Sequence, residues 1–277
     1  MRSFIIGSFL LAVSLPLFTD AQKKTRPEPP PPVTFRDGRL SYAPDSRGDR
    51  IPDFSYSGYK GGEAPIPNVP VRVTVPLQDG DATLRIQAAL DHVAGMPADA
   101  DGIRGAVLLE KGAYNVSGQL LIRHSGVVLR GSGMGEDGTI LRATGHDRRT
   151  LIRIAGAADR VTGRELLVAD AYVPVGAMRL HVGGVNPFHT GDAILVRRPS
   201  TEAWIRLLGM ETFGGGISAL GWKPGQRDIF WDRRITKVDG NEITLDAPLT
   251  TALDSAYGGG TVAGYRWPGR IVQAGVE

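Results

Sequence analysis

The chain contains no cysteine. That excludes disulfide staples, zinc–thiolate sites and thiol nucleophiles together. It leaves export open, because 277 residues can bury a core that needs no staples. Aromatic residues make up only 7% of the chain, so any cluster of them stands out. There are five histidines, and His181 and His189 have no partner at metal-ligand spacing. No dense Lys/Arg block accompanies the net charge of +3, which sets nucleic-acid binding aside; the small excess suits an acidic ligand and is equally explained as surface charge without a partner. Beyond the N-terminus no apolar run could span a bilayer.

Glycine is present in excess: 37 residues, roughly twice the usual share of about 7%. Together with an apolar content of 42%, this points to a turn-rich, largely β protein with a substantial core.

The first 21 residues, MRSFIIGSFLLAVSLPLFTDA, carry Arg2, an apolar run from Phe4 to Phe18 and a small residue before the expected cut. This is the layout of a signal peptide covering 1–21. The run falls short of the roughly 20 residues a span needs, and it contains Ser14 and Pro16. The mature protein is expected to be secreted, periplasmic or on the cell surface, with no membrane span after cleavage. Residues 22–33, QKKTRPEPPPPV, form a proline-rich extended linker.

From residue 34 an irregular entry segment leads to DFSYSGYKGGEAPIP. Its Phe54, Tyr56 and Tyr59 are expected to pack on the first layers of the core, with sugar stacking by Tyr56 or Tyr59 as the alternative. Asp81 then caps a helix over Ala82 to Val93. Ile86, Ala89, Leu90 and Val93 fall on one face of it, and His92 is solvated. Such a helix suits the covering of a sheet edge.

Next comes GAVLLEKGAYNVSGQLLIRHSGVVLRGSG. It holds short strands at Ala106–Leu109, Ala113–Val116, Leu120–Ile122 and Val127–Leu129, cut by one or two small residues. Thr139–Arg142 and Thr150–Ile154 continue the theme. Strands this short cannot make long hairpins. They suit a chain that turns a corner every few residues and stacks each circuit on the last.

Three elements carry a family resemblance: Ile86-Gln87-Ala88-Ala89 in the helix, Gly112 and Tyr114 in a G-x-Y element, and the turn Leu129-Arg130-Gly131-Ser132-Gly133. Over about Asp53 to Ile154 the chain resembles the N-terminal portion of the pectate lyase superfamily, in its rhamnogalacturonase/epimerase-like group. Lys111 stands where proline is common. The resemblance implies an all-β fold: a right-handed parallel β-helix with an N-terminal capping helix. It does not fix a reaction.

Residues 34–170 are thus expected to hold the entry segment, the helix and the first coils. Residues 171–268 read as an inserted small antiparallel β module, with a hairpin at KVDGNEITLDAP. Residues 269–277 read as a coil strand resuming, in a β-helix truncated there.

On that family the expected activity is cleavage of an acidic, uronic-acid polysaccharide by β-elimination. This needs a cation to neutralise the carboxylate, a base for the adjacent proton and an acid for the leaving oxygen. A glycoside hydrolase, with two carboxylates at about 5 to 10 Å, and a non-catalytic carbohydrate-binding scaffold are the alternatives. No catalytic residue is singled out, and the oligomeric state is left open. The candidate substrate-binding residues are Arg198, Trp204, Arg206, Trp231 and Arg233, because arginines interleaved with aromatics can stack a sugar and pair its carboxylate. The competing reading places Trp204 and Trp231 in a core or interface and pairs the arginines with Asp228 and Asp232. No cofactor is expected. Calcium at Gly135-Glu136-Asp137-Gly138 is the one metal left open, against a solvated turn.

Overall fold

The computed structural model describes residues 32–212 and 218–277. The residues expected to form a signal peptide, 1–21, and the expected linker up to residue 31 lie outside them. The fold is mostly β, with parallel sheets in its N-terminal part and an antiparallel sheet after it.

A hairpin of β1 (Val33–Arg36) and β2 (Arg39–Tyr42) comes first. In the entry segment Phe54 and Tyr56 are exposed, contrary to the packing expected of them. Only Tyr59 turns inward, and its hydroxyl donates to Gln273 Oε1 at 2.8 Å. The small residues around these rings allow a turn but supply no apolar wall.

β3 (Val71–Val75) precedes α1 (Thr83–Ala94). Then follow β4 (Gly105–Leu109), β5 (Gly112–Val116), β6 (Leu120–Ile122), β7 (Val127–Arg130), β8 (Thr139–Ala143) and β9 (Ile152–Ile154). β4 pairs in parallel with β7, β5 with β8 and β6 with β9. β7 to β9 therefore lie on β4 to β6 strand for strand. Val107, Leu109, Tyr114, Val116, Leu120, Ile122, Val127 and Leu129 fill the interior. Each fully buried aliphatic side chain there stabilises the fold by about 2 kcal/mol.

The helix closes one end of this stack. Its Ile86, Ala89, Leu90 and Val93 are buried in the same core. β3 covers the free edge of β4, and Asp81 forms a parallel bridge to Asn115 on β5. Among the described residues no strand covers β6 on this side. The Gln87 side chain takes that role: Leu121 N–H donates to its Oε1 at 2.8 Å, and its Nε2 donates to the Leu121 carbonyl at 3.0 Å. One amide thus satisfies an exposed donor and acceptor of the sheet edge.

Asp81 stands one residue before the observed N-cap, Ala82. Its carboxylate instead braces a corner. Oδ1 accepts from Ser117 N–H at 2.9 Å and the Thr83 hydroxyl at 2.8 Å, and Oδ2 accepts from the Ser117 hydroxyl at 3.0 Å. These bonds, the Ser117 amide first, pull its pKa from 3.8 down to about 2. A carboxyl depressed in the folded state stabilises above its unfolded pKa, and that contribution is lost as pH falls toward about 2. Asp81→Asn is expected to lower the melting temperature at neutral pH and to flatten its decline between pH 3.8 and about 2. Parallel acid titrations of the two proteins check this; curves of equal slope would remove Asp81 from the account.

The second part begins with β10 (Val161–Thr162), β11 (Leu166–Leu167), β12 (Tyr172–Val173), β13 (Arg179–His181) and β14 (Ala193–Arg198). It continues with α2 (Glu202–Leu207), β15 (Ile229–Asp239), β16 (Glu242–Leu245), β17 (Leu253–Asp254) and β18 (Thr261–Arg266). The sheet order is β10-β18-β14-β15-β16-β13, all antiparallel, with β11 also on β18. In this second part antiparallel pairing starts at Val161. β10 and β11 are two residues each, too short to show an alternation. A separate core lies behind this sheet, with Leu180, Ile194, Val196, Trp231, Ile235, Ile243 and Val262 in it. Finally β19 (Gly275–Val276) pairs in parallel with β7, back on the first stack. The antiparallel part is thus interposed between β9 and the next strand of the parallel sheet.

Candidate functional site

Arg198 ends β14 on the side that faces the core, since Ile194 and Val196 of the same parity are buried. The chain then turns through Pro199 and Ser200 into α2. Thr201 caps this helix by accepting from Trp204 N–H at 3.3 Å, and its own hydroxyl donates to the Tyr257 carbonyl at 2.8 Å. The cap fixes Trp204 above Arg198, with the guanidinium carbon 4.3 Å from the ring centroid. Trp222 follows at 5.9 Å between centroids and 32° between planes. Arg227 lies over Trp222 at 5.2 Å. The result is a four-membered stack, Arg198–Trp204–Trp222–Arg227.

Its base is fixed by a buried polar knot. Ser200 N–H and hydroxyl both donate to Asp228 Oδ1 at 2.8 Å, and Arg227 N–H donates to Ser200 Oγ at 3.0 Å. Arg197 holds Asp228 Oδ2 at 2.7 Å and reaches Glu165 at 3.0 Å. Burial pushes the Asp228 carboxyl up, but the Ser200 and Arg197 bonds outweigh it and leave the pKa low. Arg198 is 7% exposed and donates to the Ala252 carbonyl; burial lowers its pKa, with Asp254 opposing. At the outer end Arg227 is exposed, and neither it nor Lys223 has an ion pair among the described residues. One end is therefore rigid and desolvated, and the other presents free positive charge beside two half-buried indoles.

The structure brings together only two of the five candidates from the sequence. Arg198 and Trp204 are in the stack. Arg206 is on α2 but pairs with Glu202 across one helical turn, on the exposed face. Trp231 is a core residue, 6% exposed, and its indole N–H donates to Thr250 Oγ1 at 3.0 Å. Arg233 spends its guanidinium on the Ala247, Asp232 and Pro248 carbonyls. Trp222 and Arg227 complete the site. In the sequence Trp222 stands beside Lys223, an aromatic next to a cation, but nothing local ties Arg227 to them.

Asp232 and Asp228 do not form a free carboxylate pair. Asp232 accepts from the Tyr265 hydroxyl at 2.5 Å and pairs with Arg270, as Asp228 pairs with Arg197. Trp267 is flanked by Arg160 at 5.8 Å and Arg270 at 5.6 Å, a second arginine–aromatic contact where the two parts of the chain meet at Ala157. Among the described residues no group of three or more His, Asp or Glu side chains is placed to hold a metal ion, and no helix is long and apolar enough to cross a membrane.

No family model matches the chain, and no curated protein matches it. Among solved structures it is distantly similar to tailspikes of bacteriophages. One is Gp54 of Acinetobacter baumannii bacteriophage AP22, in complex with A. baumannii capsular saccharide: TM-score 0.34, 10% identity, 72% of this chain and 27% of that one. Others are gp61 of Pseudomonas phage phi297, at TM-score 0.33 and 16% identity over 69% of this chain and 25% of that one, and gp49 of Pseudomonas phage LKA1, at 0.27 and 17% over 65% and 24%. The chain spans about a quarter of the length of each.

Proposed function

We propose that this protein is an exported polysaccharide-processing protein that binds acidic polysaccharide at the Arg198–Trp204–Trp222–Arg227 stack and cleaves it by β-elimination. Its scaffold is a right-handed parallel β-helix of the pectate lyase superfamily, in which the antiparallel sheet is an inserted sugar-binding module. The strand-for-strand pairing of β4 to β6 with β7 to β9, with a helix over one end, supports the scaffold reading. The return of β19 to β7 supports the insertion.

The stack carries the functional reading. The half-buried indoles of Trp204 and Trp222 offer apolar surface for a sugar ring, and the exposed guanidinium of Arg227 suits a uronate carboxylate. A lyase is favoured over a hydrolase because Asp228 and Asp232 are each held by an arginine, which leaves neither free as acid or nucleophile.

The test is incubation with a panel of acidic and neutral polysaccharides. Ultraviolet absorbance of an unsaturated uronate end is expected with an acidic member only. Reducing ends without that absorbance would replace the lyase by a hydrolase; binding with neither would leave a scaffold.

A further inference from the structure

We infer that a cleft around His181, outside the arginine–tryptophan stack, is the acid–base site of this protein. It would take a uronate residue of the chain, and the inference rests on the lyase reading above. The cleft encloses about 540 Å³ between the sheet edge at β13 and the entry segment.

The sheet register assembles it. β13 is an edge strand paired with β16, and His181 lies opposite Glu242, Arg179 opposite Thr244. Leu180 between them points into the core, so Arg179 and His181 share the outer face. Asp170 reaches this face beside the bridge between Val168 and Val182. Both its oxygens hold the same residue: Oδ2 accepts from His181 N–H at 2.7 Å, and Oδ1 lies 2.8 Å from Nδ1. In a neutral imidazole, a hydrogen on Nδ1 donated to Asp170 leaves the lone pair on Nε2. Nε2 is 3.7 Å from Glu242 Oε2 and makes no hydrogen bond among the described residues. His181 is an oriented imidazole with its basic nitrogen unengaged, 51% exposed to the cleft.

Two carboxylates, Asp170 and Glu242, lie against the ring, and two arginines line the cleft around them. Arg179 lies 3.6 Å from Glu242, and Arg50 faces it from the other wall with no ion pair among the described residues. The stem of Arg50 lies over Gly176, whose φ is +83° and where a Cβ would sit 2.9 Å from Arg50 Cγ. That wall is fixed from behind. Asp49 accepts from the Tyr172 hydroxyl at 2.5 Å and from Val175 N–H at 2.8 Å, and Arg47 covers the Tyr172 ring. Burial and Asp49 hold the phenol proton, with a pKa up to about 12, so this tie persists at neutral pH. Tyr56, exposed and bonded to Met178 in the cleft wall, offers a ring at the rim.

The step balances without a co-reactant. Arg50 and Arg179 neutralise the uronate carboxylate, which acidifies the carbon next to it. His181 Nε2 takes the proton from that carbon, and the freed electron pair forms a carbon–carbon double bond. The neighbouring carbon–oxygen bond breaks with its pair on oxygen, and the imidazolium returns the proton to the departing oxygen. Asp170 is a positioning residue and stabilises the transient imidazolium.

Steady-state kinetics of His181→Gln and Arg50→Gln on the acidic substrate test this. His181→Gln is expected to lower kcat by about 100-fold or more with KM little changed. Arg50→Gln is expected to raise KM and to lower kcat as well, because charge on the carboxylate it neutralises grows as the proton leaves. A merely structural edge residue would shift the melting temperature and leave kcat intact. Wild-type protein that forms no unsaturated product sinks the lyase reading and this assignment with it. Turnover that survives His181→Gln sinks the assignment alone.

Discussion

Replacing Gly126 with alanine is expected to cost about 3 kcal/mol, from backbone strain and overpacking together. Gly126 sits at the corner between β6 and β7 with φ at +79°, where an L-residue is strained. Space is the larger problem. A Cβ there would fall on the Gly102 carbonyl oxygen and lie 2.8 Å from the Arg104 nitrogen. Those neighbours are backbone and cannot rotate away. The corner also holds three segments together. Its carbonyl accepts from Arg104 N–H at 2.8 Å and Gly105 N–H at 3.1 Å, and its N–H donates to the Val272 carbonyl at 3.0 Å. Backing off to relieve the clash would break the entry to β4 and the return to β19 together. Urea denaturation reads the loss. Gly135→Ala is the control, since a Cβ there meets nothing within 4 Å and φ is not positive; it is expected to change stability by less than about 0.5 kcal/mol. A Gly126→Ala protein as stable as this control would mean the corner is not tight.

The parts of the fold legible in the sequence are those whose signal is local. The four apolar positions of α1 fall on one helical face, and all four are buried. Strands β4 to β8 lie within a residue of where small residues cut the apolar runs. The hairpin at Asp239 to Glu242 follows from Asp-Gly-Asn between alternating strands. What stayed hidden depends on distant partners. β14 pairs on one side with β15 and on the other with β18, and no turn chemistry announces either choice. Gln87 reads as one polar helix residue among others until β6 is placed opposite it.

The same division runs through the sites. Composition points to arginine and tryptophan between Arg197 and Arg234, but only strand parity separates them by role. Trp231 shares its parity with buried Ile235 and goes into the core, while Trp204 is carried outward on α2. His181 has no neighbour at metal-ligand spacing, yet a sheet register sets it against Glu242 and a bridge brings Asp170 to it. Spacing along the chain tests for ligands on one element. It is blind to a pair assembled across strands.

Trp204→Ala is the substitution expected to affect binding most: about a 30-fold loss of affinity for acidic polysaccharide, the size of a hot-spot truncation. Trp204 touches both its neighbours in the stack, Arg198 and Trp222. It lies over the Arg198 guanidinium and packs against Trp222. Removing it takes away half of the apolar rim and leaves the outer pair, Trp222 and Arg227, without a backing. The loss of cover over Arg198 also costs stability, so affinity alone would be ambiguous. Trp204→Phe separates the two effects, since it keeps an aromatic face over Arg198 with less surface for a sugar. An affinity that falls from tryptophan to phenylalanine to alanine, with cooperative melting retained in all three, is the expected result of titration calorimetry and thermal denaturation. Arg227→Gln should act differently, reducing the salt dependence of binding because its guanidinium is exposed and screened. Unchanged affinity in a folded Trp204→Ala protein would remove the stack from the binding site, and loss of cooperative unfolding would make Trp204 a structural residue.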